Sequence, residues 1–477
     1  MHSLLNGIDW GVVALYMIGM VAIGFIANKR VSGFEDHILS GRNVPTYYLA
    51  PCLLTTQIGA SSIIGYVALS YSIGYSGGWW IIGNIFTFIV LGAIGAKQLR
   101  RAVKANTLPE WFKIRFDEKC RIFTAVATVI AEIAFTAGQI VGGAALISLV
   151  FGCSMFTGIF VFCIVVCLYS VFGGLWAVFL TDFVQMFVMI AGLTAIVIFG
   201  LQTTGGMTNL ESMVPDGFFS LIQPGEIGTV IASVLYAIPA IFCSFDIIQK
   251  VMAARTPQVA RNSCFWASGL VVFFAVVIPL IGILGYAILG PNVENTDAIM
   301  ATLIVQILPT GLKGVAIAAI LATLMSSTDA CLMAGSAVFT NDLFPKFVNM
   351  ANWNDTKKKN ASMLATAVIM LICFGLAVAL PNALSGMELA WTALSCGAFI
   401  PMIFGLLWKK TSSTGAFTSM ICGATIGLIW KFMGNPMGLR PVIPAYIVGI
   451  LVIVIVSLMK PQALTEEQAK DAGLIEA

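Results

Sequence analysis

Charged side chains are scarce in this sequence. Asp, Glu, Lys and Arg together make up 10% of the 477 residues, whereas soluble domains carry about 25%. Hydrophobic residues make up 59% of the chain, and its mean hydropathy is +0.96. A soluble globular domain and a disordered chain are therefore both excluded, and the lipid bilayer is predicted to be the main solvent.

Histidine is rarer still, since the sequence contains only His2 and His37. Neither lies in a long apolar run, so no histidine is available to bind haem or a metal within the membrane. The phosphate-binding pattern GxxxxGK[ST] is absent, and a nucleotide-driven pump is not expected. No nucleophile is paired with a base either. We therefore predict a protein that is not an enzyme, that has no organic cofactor and that binds no nucleic acid.

Long apolar stretches are abundant, and stretches of about 20 residues predict membrane-spanning helices. The sequence contains thirteen of them within one predicted transmembrane domain, 1–477. They lie at 8–27, 46–74, 78–97, 122–151, 155–173, 176–201, 227–249, 263–290, 312–340, 361–380, 385–408, 414–432 and 441–459.

Lys and Arg are distributed unevenly over the predicted loops. Of the 25 Lys and Arg residues, only Lys313, Lys431 and Arg440 fall on the side that carries the N-terminus. Because cytoplasmic loops are enriched in Lys and Arg, the N-terminus is predicted to lie outside and the C-terminus in the cytoplasm. The compact loops are typical of a bacterial inner (plasma) membrane protein, and a functional monomer is expected.

Four acidic residues lie inside the predicted spans: Glu132, Asp182, Asp246 and Asp329. No Lys or Arg is predicted at their depth, because Lys250 is assigned to a cytoplasmic loop. The carboxylates should therefore be protonated, hydrated or neutralised by bound cations. The third arrangement is the one that a cation-coupled transporter needs.

Two spans are predicted to be interrupted near the middle of the membrane. Residues 57–65 read QIGASSIIG, and the span 227–249 contains Pro239 followed by Ser244. Broken helices free backbone carbonyls that can coordinate Na⁺, whereas the alternative for a patch of small residues is close helix packing. The two interrupted spans are five spans apart, as in a five-plus-five inverted repeat.

The repeat hypothesis divides the chain. The first repeat would cover 46–201 and the second 227–408. The span 8–27 would be one extra N-terminal helix, and 414–459 would form two extra C-terminal helices. In the ninth span, hydroxyl groups and an acid follow one another from Thr323 to Asp329. Such oxygen ligands suit alkali cations, although hydroxyls in membrane helices commonly bond to carbonyls of their own helix.

At this point the sequence resembles the sodium:solute symporter family over nearly its whole length. Four motifs carry the resemblance: Gly59-Ala60-Ser61; Thr107-Leu108-Pro109-Glu110 with Arg115-Phe116; Gly173-Gly174 through Thr181-Asp182 and Gln185; and Met325-Ser326-Ser327 followed by Asp342-Leu343. The resemblance implies an all-α integral membrane protein with a LeuT-type fold. Its implied function is secondary active transport, in which Na⁺ drives uptake of a small organic solute by alternating access.

The resemblance also implies ion sites. The main sodium site would use the backbone carbonyls of Ala60, Ile63 and Thr323 with the hydroxyls of Ser326 and Ser327. A second cation site would use Asp182 and Ser326, which match the family, together with Asp329, which stands where the family has a serine; two carboxylates would give a stronger cation site or a proton-linked one. Na⁺ is the only metal and coupling ion expected.

Within the family, the chain is similar to the choline-transporter branch in Glu132, Thr181-Asp182 and Ser326-Ser327-x-Asp329. It lacks most of the aromatic cage that would hold a quaternary ammonium. An amine or a zwitterion is therefore expected as solute, bound in the membrane interior. The predicted solute-binding residues are Gln57, Ser61, Glu132, Phe135, Gln139, Phe245 and Asp246, and for Asp246 a role as helix cap or gate is the alternative.

Other functions remain open at this stage. A symporter of the same fold could be driven by H⁺, because the surplus carboxylates permit proton coupling. A sensor or receptor could retain the transporter fold. A channel is disfavoured, because the acids are scattered over separate helices and do not form a ring along a pore.

Overall fold

The computed structural model describes residues 5–59, 61–223, 227–294, 296–350, 352–379, 383–462 and 464–476, and these residues form a helical protein. The helices are α1 (Gly7–Asn28), α2 (Phe34–Leu39), α3 (Thr46–Gln57), α4 (Tyr66–Ile73), α5 (Trp79–Ile94), α6 (Ala96–Arg101), α7 (Leu108–Arg115), α8 (Glu118–Phe151), α9 (Met155–Thr204), α10 (Met207–Ser212), α11 (Ile227–Cys243), α12 (Phe245–Met252), α13 (Pro257–Leu289), α14 (Ile299–Ile307), α15 (Leu312–Val338), α16 (Asp355–Ala379), α17 (Ala383–Leu407), α18 (Ser413–Phe432), α19 (Val442–Met459) and α20 (Glu466–Asp471).

Ten helical segments among the described residues are long and apolar enough to cross a membrane. The predicted number of thirteen spans is not confirmed. One reason for the difference is α9, which has 50 residues and includes both predicted spans 155–173 and 176–201. A straight helix of that length would measure about 75 Å, whereas the hydrocarbon core is about 30 Å thick.

A glycine divides α9 into two parts. Gly174 has φ +53°, which lies in the left-handed region that side chains rarely adopt, and a Cβ there would come within 2.6 Å of the His37 carbonyl oxygen. Glycine is therefore required both by the backbone conformation and by the approach of α2. The kink lies between the two predicted spans, so α9 is best described as two membrane-spanning segments joined at Gly174.

The two predicted interruptions are confirmed. α3 ends at Gln57, and the helix resumes as a π-helical turn, Ser61–Gly65, that leads into α4. The second interruption lies at Ser244, which has φ −76° and ψ +103° and separates α11 from α12. Pro239, by contrast, lies within α11.

α15 is the central helix of the protein. Of an 18-residue apolar stretch in this helical segment, 94% is buried. The helix packs against α1, α8 and α9. The first helix is fastened to its start, because the Asp9 carboxylate accepts hydrogen bonds from the backbone N–H groups of Gly311 and Gly314, at 2.7 and 3.1 Å. A carboxylate at a helix N-terminus satisfies otherwise unpaired N–H groups and complements the helix dipole.

One arginine of the predicted basic loops serves the interior of the protein. Arg115 of α7 is buried and donates hydrogen bonds to the carbonyls of Gly405, Trp408 and Thr411, at 2.8, 3.0 and 3.3 Å. Burial lowers the pKa of its guanidinium to about 10, so the group stays charged at neutral pH. Arg115 thereby satisfies carbonyls at and beyond the end of α17.

Candidate ion and solute site

The interruption after α3 brings three helices together. Beyond the end of α3, a Cβ on Gly59 would lie 2.9 Å from both the Nε2 atom of Gln139 on α8 and the Oγ atom of Ser327 on α15. The Ser327 hydroxyl donates a hydrogen bond to the carbonyl oxygen of Thr56, at 3.1 Å. This carbonyl lies in the last turn of α3, where helix carbonyls lose their partners along the chain. A polar site has formed where the backbone is unwound.

The residues predicted for the main sodium site are distributed around this point. Ile63 lies in the π-helical turn, and Thr323 is buried on α15, where its hydroxyl donates to the Ile320 carbonyl at 2.6 Å. Ser327 faces the interruption, whereas the Ser326 hydroxyl donates to Asp182 on α9. Ala60 lies outside the described residues.

Asp182 is the centre of a second polar cluster. Its Oδ1 atom accepts a hydrogen bond from Ser326, and its Oδ2 atom accepts one from the Cys52 thiol, at 2.7 Å. The ammonium of Lys250 lies 3.6 Å from Oδ2, and the side chains of Lys250 and Asp182 are both fully buried. Asp329 is also fully buried and lies within electrostatic range of Asp182 and Lys250.

The expectation that no cation shares the depth of the acids is therefore wrong. Lys250 does not lie in a cytoplasmic loop, because α12 continues to Met252 and turns the side chain into the interior. Its Nζ also donates a hydrogen bond to the Thr56 hydroxyl. Lys250 follows Asp246 by four residues, which would place the two on one face of a helix, but the sequence does not show that the helix continues to Lys250.

A further group missed in the sequence comes from α1. The Tyr16 hydroxyl accepts a hydrogen bond from the Gln185 amide at 3.1 Å and contacts the Met325 sulfur at 3.7 Å. Gln185 follows Asp182 by one turn of α9, and Met325 precedes Ser326 on α15. The extra N-terminal helix thus supplies a polar group beside the Asp182 cluster.

Asp246 is engaged at the start of its own helix. Its Oδ1 atom accepts hydrogen bonds from the Ser244 hydroxyl and from the backbone N–H of Ile247, the latter at 2.9 Å. Ser244 is the N-cap of α12 and makes no side-chain cap hydrogen bond, whereas Asp246 lies in the first turn, where a carboxylate complements the helix dipole. Phe245, which precedes it, is fully buried.

The predicted solute residues of α8 occupy one face of that helix. Glu132, Phe135 and Gln139 are three and then four residues apart, which places them on one side. The Phe135 ring meets the Trp391 ring of α17 edge to face, with centroids 5.3 Å apart, and Glu132 lies beside Cys331 of α15 and Asp246 of α12. Gln139 reaches the α3 interruption, where Gln57 is partly exposed; the side chain of Ser61 lies outside the described part of the chain.

Comparison with known proteins decides the family. Residues 37–423 match the model of the family described as "Sodium:solute symporter family". This range includes both interruptions and the clusters around Ser327 and Asp182. The chain belongs to the sodium:solute symporter family. It is therefore a transporter and not an enzyme, and Na⁺-coupled uptake of a small solute is its function.

Curated relatives of this symporter align along nearly their whole length. The sodium/proline symporter of Escherichia coli (strain K12) is 28% identical over 96% of this chain and 95% of its own. The sodium/pantothenate symporter of Haemophilus influenzae (strain ATCC 51907 / DSM 11121 / KW20 / Rd) is 23% identical over 96% of this chain and 97% of its own. These relatives do not support the expected similarity to the choline-transporter branch.

Solved structures confirm the fold. A Na⁺-coupled sialic acid symporter, in a substrate-bound outward-open state, has a TM-score of 0.83 at 18% identity and covers 96% of this chain and 100% of its own. Mhp1, a nucleobase-cation-symport-1 family transporter, has a TM-score of 0.61 at 13% identity over 92% of this chain and 98% of its own. The symporter therefore has the LeuT-type fold that the family resemblance implied.

Proposed function

We propose that the symporter couples Na⁺ bound at the α3 interruption to uptake of a small zwitterionic solute. The main ion site would use the carbonyls of Ala60, Ile63 and Thr323 with the hydroxyls of Ser326 and Ser327. The observation that carries this proposal is the contact of Ser327 with both Gly59 and the Thr56 carbonyl. A Na⁺ there would hold the unwound backbone against α15, with oxygen ligands of the kind that alkali cations prefer.

The solute would lie between the two interrupted helices and α8. Its contacts would come from Gln57, Ser61, Glu132, Phe135, Gln139, Phe245 and Asp246. The Glu132 and Asp246 carboxylates are buried close to one another, and they complement an ammonium group. Backbone N–H groups at the start of a resumed helix complement a carboxylate. A zwitterion carries both groups, and the names of the proline symporters agree with this class.

Coupling would arise because both ligands use the α3 interruption. Na⁺ would bind its α15 side, while the solute would bind its α8 side through Gln139. If both ligands prefer the arrangement in which α3, α8 and α15 are in contact, each tightens the binding of the other. Release of Na⁺ towards the inside would then remove a contact that exists in only one conformation.

The protein would lie in a bacterial inner membrane as a functional monomer. The proposed orientation places the N-terminus outside and the C-terminus in the cytoplasm. The distribution of Lys and Arg over the loops supports this orientation. Lys250 is left out of that distribution, because it is buried beside Asp182. Of the other Lys and Arg residues, Arg101 and Lys104 form ion pairs with Glu476 and Asp471 of the C-terminal segment, so these residues share one side of the membrane.

Thermal stability of the purified protein tests the proposal. L-proline, pantothenate, a simple amine and a sugar would each be added in NaCl and in KCl at equal ionic strength. A ligand that binds only the folded state raises the melting temperature. We expect a zwitterion to stabilise the protein in NaCl but not in KCl, and the Glu132→Gln variant to lose this effect. Equal stabilisation in both salts would contradict Na⁺-linked binding, and a response to the sugar alone would contradict the solute class.

A further inference from the structure

Lys250 is an unusual side chain for the interior of a membrane protein. It is fully buried, and its ammonium lies between Asp182 of α9, at 3.6 Å, and the Thr56 hydroxyl of α3. An isolated charge at such a position costs several kcal/mol, so it persists only where opposite charge and hydrogen bonds compensate it. The residue therefore has a specific partner, and that partner belongs to the predicted second cation site.

The second interruption determines where this ammonium lies. The chain leaves helical geometry at Ser244 and begins α12 at Phe245. In the first turn the Asp246 carboxylate accepts a hydrogen bond from the Ile247 N–H, and Gln249 donates one to the Ile38 carbonyl at 2.7 Å. With both ends of the short helix held, Lys250 is directed at Asp182. The ammonium is built into the half-helix and is not a mobile surface group.

The contacts of Asp182 are already made. One oxygen accepts from Ser326, and the other accepts from Cys52 while facing Lys250. Na⁺ binds carboxylate oxygens at about 2.4 Å, in the range known for hard cations. An ion on Oδ2 would therefore lie no more than about 6 Å from the ammonium, and two like charges that close in a buried, low-dielectric interior repel each other strongly. The ammonium and a second Na⁺ are alternatives at this carboxylate.

We propose that Lys250 permanently takes the place of a second sodium ion at Asp182. The protein would then bind one Na⁺, at the α3 interruption, while the tethered ammonium keeps Asp182 neutralised and holds α12 against α3 and α9. This inference rests on the proposed assignment of the main site to Ser327. It goes beyond that assignment, because it fixes the ion stoichiometry at one and names the residue responsible.

Sodium titration of melting temperature, without any solute, tests the proposal. The free energy of stabilisation rises with the logarithm of Na⁺ concentration in proportion to the number of ions bound. We expect the wild type and Lys250→Arg to show the slope of one ion. Lys250→Met should show about twice that slope, and Lys250→Met combined with Asp182→Asn should return to the slope of one. Lys119→Met, which removes an exposed lysine, is the matched control and should equal the wild type.

Other outcomes decide against the proposal. A wild-type slope of two ions would overturn it without any variant, and so would a folded Lys250→Met protein with an unchanged slope. Lys250→Met leaves the buried Asp182 carboxylate without its counter-charge, which could prevent the variant from folding in KCl. Folding in NaCl but not in KCl would then support the proposal. A wild type that ignores Na⁺ would refute the main site, whereas a Na⁺ response acquired only by Lys250→Met would still support the role of Lys250.

Discussion

Ser326 and Ser327 are adjacent in α15, but their hydroxyls bond to different helices. Ser326 donates to the Asp182 carboxylate on α9, whereas Ser327 donates to the Thr56 carbonyl at the end of α3, at 3.1 Å. Consecutive residues of an α-helix point about 100° apart, so one turn of α15 serves two sites. The proposed Na⁺ site and the Lys250–Asp182 pair are therefore mechanically connected through a single buried helix.

Removal of the Ser327 hydroxyl should weaken Na⁺ binding. Ser327→Ala deletes a proposed ion ligand, and hydrogen bonds to charged groups are worth about 1.5–3 kcal/mol. We expect the Na⁺ concentration for half-maximal stabilisation to rise by roughly 10- to 100-fold. Ser336→Ala on the same helix is the control, because that buried hydroxyl bonds only within α15, to the Met333 carbonyl at 3.1 Å. Equal effects of the two variants would argue against an ion ligand at Ser327.

A methyl group at Gly59 should disturb the site without unfolding the protein. The new Cβ of Gly59→Ala would lie 2.9 Å from Gln139 Nε2 and from Ser327 Oγ, so these side chains must move away. We expect Na⁺-linked stabilisation to fall more than tenfold in apparent affinity, which is about 1.4 kcal/mol. Gly65→Ala is the matched control, because nothing lies within 4 Å of a Cβ there. The comparison fails for our account if Gly65→Ala is the more damaging change.

The interrupted helices could be predicted from the sequence because their causes are local. Gly59 and its small neighbours permit an unwound backbone, and the Ser244-Phe245-Asp246 segment carries its own helix-start signal. The exact residue at which the second helix is interrupted was harder to predict from the sequence. Pro239 is tolerated within α11, and the interruption lies five residues further along the chain.

The position of Lys250 could not be obtained from loop charges. Statistics of Lys and Arg describe which side of the membrane a loop occupies, but they do not say where a helix ends. α12 continues to Met252, and only this continuation turns Lys250 inward. Its pairing with Asp182 joins residues on α12 and α9, far apart in the chain, and such tertiary contacts leave no local pattern. The contact of the Cys52 thiol with Asp182 could not be predicted either, because Cys52 lies in an apolar stretch like most other cysteines of the chain.

An ion pair between α8 and the segment after α15 should contribute strongly to stability. Arg121 lies 2.7 Å from Asp342, whose side chain is fully buried and also accepts a 2.5 Å hydrogen bond from Thr107. Asp342→Ala removes one partner of a buried pair, which typically costs about 3–5 kcal/mol. Its melting temperature should fall well below that of Glu118→Ala, since Glu118 is 36% exposed and exposed pairs contribute about 0–1 kcal/mol. Similar melting temperatures would mean that Asp342 is not held as described.

Stability should decrease in acid through His37. Its Nε2 donates to the Val171 carbonyl at 3.2 Å and its Nδ1 accepts from Ser362 at 3.1 Å, and burial lowers its pKa from 6.5 to about 4. Between pH 6.5 and 4, His37 is therefore protonated in the unfolded chain but neutral in the folded protein. This contribution is complete above pH 6.5 and is lost as pH falls towards 4, by up to about 1.4 kcal/mol per unit.

Melting curves of the wild type and His37→Gln between pH 7 and 5 check this prediction. Because carboxylates elsewhere also titrate, the informative quantity is the difference between the two slopes. We expect the wild type to lose melting temperature more steeply than His37→Gln. Parallel slopes would show that His37 is protonated as easily in the folded protein as in the unfolded chain.

Simultaneous flux of ²²Na⁺ and solute tests the central claim most directly. Proteoliposomes would be loaded with KCl and diluted into ²²NaCl with the radiolabelled solute that stabilises the purified protein. We predict that ²²Na⁺ enters only when the solute is present, and that Ser327→Ala requires much more Na⁺ for both fluxes. Solute uptake driven by a pH gradient without Na⁺, together with no solute-dependent entry of ²²Na⁺ when ²²NaCl is present, would contradict the account.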